Sequence, residues 1–198
     1  VNESKQPDNL NKIDNCSEIN KLVQKSPVKP ARISSFRING PLNSYEGQYD
    51  YFGLNIIADG EEAFITAPNS EDADVYIYKK SNSQWVQKST LTTPQNDPLG
   101  WGLAIDDNTL LAGAPEATVN GQFGSGAAHI FKYNDSMQEW QHRKRFTGNK
   151  PGSIAFGTNT AIKDDMAVIV ATREDIDEID RPETGAAYVF EHTDGTWL

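Results

Sequence analysis

The chain has one cysteine, Cys16, in 198 residues. That excludes an internal disulfide framework and any cysteine-based zinc cluster. No apolar run approaches the roughly 18–20 residues that a membrane-spanning helix needs, and no direct membrane insertion is expected. Basic residues are also scarce: 18 against 28 acidic ones give a net charge of −10. Such a balance disfavours nonspecific contact with nucleic acid or an anionic membrane surface. Histidine occurs three times, and no Ser-His-Asp order, glycine-rich phosphate loop or paired metal-ligand spacing is visible. The first residues, Val1-Asn2-Glu3-Ser4-Lys5, lack an initiator methionine and the apolar core of a signal peptide, as in a processed or fragmentary N-terminus.

What is present is unevenly distributed. Residues 1–40 carry seven basic and four acidic side chains, for +3, whereas 41–198 carry 11 and 24, for −13. Residues 1–30, rich in Asn, Lys, Ser and Pro, bury too little to offset their ordering entropy. They read as a linker or leader with one short helix around Ser17–Gln24. From about Ile33 the texture changes to short β-type runs punctuated by Gly, Asn, Asp and Pro.

Those runs repeat. Tyr51-Phe52-Gly53-Leu54-Asn55-Ile56-Ile57-Ala58 leads to Ala63-Phe64-Ile65-Thr66-Ala67-Pro68. Gly100-Trp101-Gly102-Leu103-Ala104-Ile105 leads to Leu110-Leu111-Ala112-Gly113-Ala114-Pro115. Ala155-Phe156-Gly157 through Ile162 leads to Ala167-Val168-Ile169-Val170-Ala171-Thr172. Each unit then offers a further strand (Val75–Tyr78, Ala128–Phe131, Ala187–Phe190) and a tryptophan: Trp85, Trp140 and Trp197. The glycines Gly53, Gly102 and Gly157 are 49 and 55 residues apart, the tryptophans 55 and 57.

One unit reads as a four-stranded antiparallel sheet, with strands A to D in chain order. Asp59-Gly60, Asp107-Asn108 and Asp164-Asp165 hold the A–B turn, and these residue types tolerate positive φ. Strands A and B are nearly all apolar or small, the pattern of strands covered on both faces. Small inner residues and more polar outer strands suit sheets radiating from an axis. The fold class expected is all-β: a partial β-propeller of about three four-stranded blades over residues 31–198, behind a poorly ordered N-terminal segment. Ala31–Asn39 reads as a strand D preceding the first blade.

Phe-Gly before strand A and Gly-Ala-Pro after strand B resemble the FG-GAP repeat, the blade of integrin-α-like propellers. Phe52-Gly53, Trp101-Gly102 and Phe156-Gly157 take the first landmark, with Trp101 replacing the phenylalanine. Thr66-Ala67-Pro68, Gly113-Ala114-Pro115 and the degenerate Val170-Ala171-Thr172 take the second. Many family blades carry a calcium loop between A and B. The two-residue turns here supply one or two carboxylates, too few for an ion that takes six to eight oxygens, so no metal or other cofactor is expected.

The resemblance implies a noncatalytic binding scaffold of an extracellular or cell-surface protein. Its ligand, protein or glycan, would meet the B–C loops and D–A links that open on one rim. Glu71, Asp72, Asn120, Gln122, Asp175, Asp177 and Asp180 are the candidate rim residues. The acidic run Glu174–Asp180 otherwise reads as a solvated loop. His129, aligned with Tyr76 and Tyr188, reads as a packing residue, His142 and His192 as surface residues, and the recurring tryptophans, with Trp101, as structural rather than sugar-stacking. Propellers close with about four to eight blades, so the remaining blades would come from the same longer chain or from assembly. The alternatives are the propeller portion of a secreted hydrolase or lyase whose catalytic residues lie elsewhere, and a purely structural subunit.

Overall fold

The structure, a computed structural model, describes residues 37, 38, 40, 51–68, 75–150, 152, 154–175 and 184–198. The chain divides after Ser35, and all described residues lie beyond that point. The expected helix at Ser17–Gln24 and most of the expected strand at Ala31–Asn39 fall outside the described residues, while Arg37 and Ile38 are not in a strand.

Every regular element among the described residues is a strand. The first sheet is β1 (Ile56–Asp59), β2 (Glu62–Thr66), β3 (Val75–Ser81) and β4 (Gln84–Leu91). The second is β5 (Leu103–Asp106), β6 (Thr109–Ala114), β7 (Ala127–Asn134) and β8 (Glu139–Thr147). The third is β9 (Phe156–Lys163), β10 (Met166–Ala171), β11 (Ala186–Thr193) and the short β12 (Thr196–Trp197). Each is an antiparallel meander in chain order. The tight turns fall where the sequence places them, with Gly60, Asp107 and Asp164 at φ 57°, 47° and 50°.

Strand pairing corrects one landmark. Ile56 pairs with Ile65, Leu103 with Ala112 and Thr160 with Ile169. Counting back from these pairs makes Leu99-Gly100, not Trp101-Gly102, the counterpart of Phe52-Gly53 and Phe156-Gly157. Three observations agree. Gly53, Gly100 and Gly157 all have positive φ, at 87°, 112° and 96°, a conformation glycine adopts without steric cost. The Gly53 amide donates to the Thr66 carbonyl and the Gly100 amide to the equivalent Gly113 carbonyl, both at 2.8 Å. Leu99 is fully buried in the cluster with Phe64, Leu110 and Phe131. Leucine supplies the apolar volume that phenylalanine supplies elsewhere, and Trp101 sits two residues further on, level with Leu54 and Thr158.

The sheets pack face to face. Phe64, Val75 and Ile77 of the first meet Leu103, Leu110 and Phe131 of the second. Leu111, Ile130 and Phe146 of the second meet Phe156, Ile162 and Ile169 of the third. Trp140 stands edge-on to Phe64 of the sheet before it, ring centroids 5.5 Å apart, and Trp197 stands likewise to Phe146 at 6.0 Å. Trp85 packs in the cluster of Tyr76, Tyr78 and Phe52. The recurring tryptophans are thus packing residues. Coverage on both faces holds in the middle sheet, where β6 is buried from Leu110 to Ala114. It fails in the third, where β10 and β11 alternate along their length. The outer face there leaves Met166 46% and Val189 59% exposed, while Ile130, the counterpart of Val189 in the middle sheet, is fully buried.

Candidate binding site at one rim

The loop from β6 to β7 is built to hold its shape. Asn120 and Gly121, at φ 53° and 81°, form the tip of a two-residue turn. Val119 and Gln122 exchange both backbone hydrogen bonds across it, at 3.1 and 3.0 Å. Ser125 Oγ donates to the Gln122 carbonyl at 3.0 Å. The link from β8 to β9 is then stitched to this loop: the Ala155 amide donates to the Gly124 carbonyl at 2.9 Å and the Phe156 amide to Ser125 at 3.1 Å. Between loop and link lies a cavity of about 270 Å³, walled by Asn120, Gln122, Ser125, Asn149, Lys150 and Ile154 among others.

Behind it is a small polar network. Lys150 Nζ lies 3.6 Å from Glu174 Oε1 and donates to the Asp175 carbonyl at 3.1 Å. Glu174 is buried, and the Tyr188 hydroxyl donates to its Oε2 at 2.6 Å. Burial, with the hydrogen bond to and charge of Glu174, pushes the Tyr188 phenol up to about 12. The phenol therefore stays a donor at any physiological pH, and the acidic end of the β10–β11 loop is anchored to the cavity wall.

The structure brings Asn120 and Gln122 to one cavity and sets Asp175 beside it through Lys150. Glu71, Asp72, Asp177 and Asp180 lie outside the described residues. Glu174, at the head of the run expected to be a solvated loop, is instead buried, and Asn149, Lys150 and Tyr188 are not among the candidate residues read from sequence. They sit on separate elements and no local spacing links them.

The expectation that His142 is a surface residue is corrected, because it meets His129. His129 Nδ1 and His142 Nε2 are 2.9 Å apart. His129 Nε2 donates to Asp97 Oδ2 at 3.0 Å, and Arg145 Nε donates to the same oxygen at 2.7 Å. His142 is half-buried rather than on the surface, because the β-bulge between Ile130 and Phe131 sets it opposite Phe131. His192 stands apart, 3.3 Å from Asp165. With one proton on His129, Nε2 carries it toward the carboxylate and His142 Nε2–H donates to Nδ1; with two, Nδ1–H donates to His142 instead. The order Arg145–Asp97–His129–His142 is linear. No hydroxyl or thiol bonds either ring among the described residues, so the chain of bonds clamps the β4–β5 link onto β7 and β8. At the position equivalent to His129 in the third sheet, Tyr188 bonds Glu174, which comes from the β10–β11 loop rather than from a link between sheets.

Burial, then the His129 charge, lowers the His142 pKa below its ordinary 6.5, and Asp97 offsets this only in part. A depressed folded value means that the unfolded chain binds the proton better. This contribution is present above 6.5 and is lost as pH falls through the folded value. Urea midpoints measured across pH are expected to decline below 6.5 in the parent, and less in a His142→Gln chain. Equal slopes would show that another group carries the dependence.

No protein-family model and no curated protein matches the chain.

Proposed function

We propose that the chain is a noncatalytic propeller-type scaffold of an extracellular or cell-surface protein, which binds a protein or glycan ligand through the loops of one rim. The observation that carries this reading is the cavity between the β6–β7 loop and the β8–β9 link, held in shape by backbone hydrogen bonds and edged by amide and ammonium side chains. Loops fixed on a rigid β framework are the common setting for recognition, and convergent polar groups in a cavity are what orients a ligand. The exposed outer face of the third sheet, apolar where the middle sheet's equivalent face is covered, supports a ring completed by further blades.

The test is binding by the full chain in a pulldown from extracellular extract and on a glycan array, repeated with Asn120→Ala, Gln122→Ala and Lys150→Ala combined. The expected result is a roughly tenfold or greater loss of affinity, about 1.4 kcal/mol, at a temperature where circular dichroism shows the variant still folded. Full retention of binding in the triple variant would sink the rim assignment.

A further inference from the structure

A second cleft opens on the same rim, where the ends of the middle and third sheets meet. It has a volume of about 170 Å³, and Trp101, Glu116, Phe123, Thr158, Thr172 and Arg173 supply its side chains. Trp101 is free for such a position because Leu99 does the packing that the landmark aromatic does in the other units. Its equivalents, Leu54 and Thr158, have no packing role in common with it.

The cleft presents groups that lack partners. Trp101 Nε1 is buried and donates to nothing among the described residues, and a buried donor needs an acceptor. Phe123 is 69% exposed while walling the cleft. Arg173 and Glu116 side chains make no hydrogen bond or ion pair with a described residue. The hydroxyl protons can be placed. Thr158 Oγ1 donates to the Ala155 carbonyl at 2.7 Å, so in its 3.1 Å contact with Thr172 Oγ1 the Thr172 hydroxyl donates. Both oxygens then offer only lone pairs to anything that enters.

We infer that this cleft, between Trp101, Phe123 and Arg173, is a carbohydrate subsite that takes one pyranose ring of a neutral glycan. The inference rests on the rim-binding reading above and narrows its ligand class. A pyranose has a C–H face that lies against an aromatic ring and a rim of hydroxyls that each donate and accept. Trp101 and Phe123 offer the apolar walls, Arg173 donates, and Thr172 Oγ1 and the Glu116 carboxylate accept. An aliphatic peptide side chain would use the walls and leave the charged pair unmatched. An anionic sugar would meet Glu116 and a chain of net charge −10.

The experiment uses the full chain labelled with ¹⁵N, in which indole N–H signals come from Trp85, Trp101, Trp140 and Trp197. Trp101→Phe assigns the signal of interest. Methyl glycosides of glucose, galactose, mannose and N-acetylglucosamine are titrated singly, beside a neutral dipeptide amide and acetate. The expected result is a saturable shift of the Trp101 signal with at least one glycoside, weakened roughly tenfold in Phe123→Ala and in Arg173→Ala. A Trp101 signal that moves with none of the glycosides, or only with the dipeptide or acetate, overturns the inference. Movement of Asn149 and Lys150 amides with the Trp101 signal still would leave the rim reading standing and remove only this subsite.

Discussion

A Gly113→Ala chain is expected to lose on the order of 3–5 kcal/mol, a large share of the roughly 5–15 kcal/mol of an ordinary domain. A Cβ at Gly113 would fall on the carbonyl oxygen of Gly157 in the next sheet. Neither backbone can retreat cheaply. The Gly113 amide donates to Gly102 at 2.8 Å and its carbonyl accepts from Gly100 at 2.8 Å, while β9 holds its own pairing with β10. The junction between the first two sheets solves the same crowding in reverse. There Thr66 keeps its side chain, and Gly100 opposite has no room for one, since its Cβ would lie 2.6 Å from Thr66 Cβ. The first junction holds one side chain at this point, and the second, with Gly113 against Gly157, holds none. A control separates crowding from conformation. Gly195 has φ 79° and open space around a Cβ, so Gly195→Ala should cost only about 1–2 kcal/mol of left-handed strain. Urea unfolding followed by circular dichroism measures both. If the Gly113 variant is no worse than the Gly195 variant, the sheets are not packed backbone against backbone.

Asp97→Ala is expected to cost about 3–5 kcal/mol, because it leaves a charge and a buried ring unpaired. Asp97 is 4% exposed and His129 fully buried, so water cannot replace the lost carboxylate. Asp97→Asn keeps an acceptor of the same shape and should cost less. The acid limb gives a second readout. Burial pushes the Asp97 carboxyl up, but the hydrogen bonds from His129 and Arg145 and their charges outweigh it and hold the group below its ordinary 3.8. A carboxyl depressed on folding stabilises fully above its unfolded value and loses that contribution as pH falls through the folded one. The parent should therefore shed stability below pH 3.8, and the Asp97→Asn chain should shed less. Superimposable acid limbs in the two chains would refute the clamp.

The sheets were legible because their signals are local. Turn residues such as Asp59-Gly60 and apolar runs such as Leu110–Ala114 act within one hairpin. The landmark in the middle unit was misread for a physical reason. Trp101-Gly102 looks more like an aromatic–glycine pair than Leu99-Gly100 does, yet the burial that matters is apolar volume, which leucine also provides. Only the hydrogen-bond register, Leu103 against Ala112, exposes the two-residue offset. The rim was legible as a place, since topology sends the β6–β7 loop and the β8–β9 link to one end. Its chemistry was less so. Lys150, Glu174 and Tyr188 converge from a link, a loop and a strand, and His129 meets Asp97 across 32 positions of sequence.

The stitched junction of Gly124 and Ser125 with Ala155 and Phe156 has a consequence for how the chain comes apart. Arrays whose units touch only through side chains can shed a terminal repeat and keep the rest. Here a single parallel bridge and two main-chain hydrogen bonds join one sheet to the next, so peeling the third sheet away strips main-chain partners from the second. Damage at either one is therefore expected to spread, so that the pair denatures in one cooperative transition.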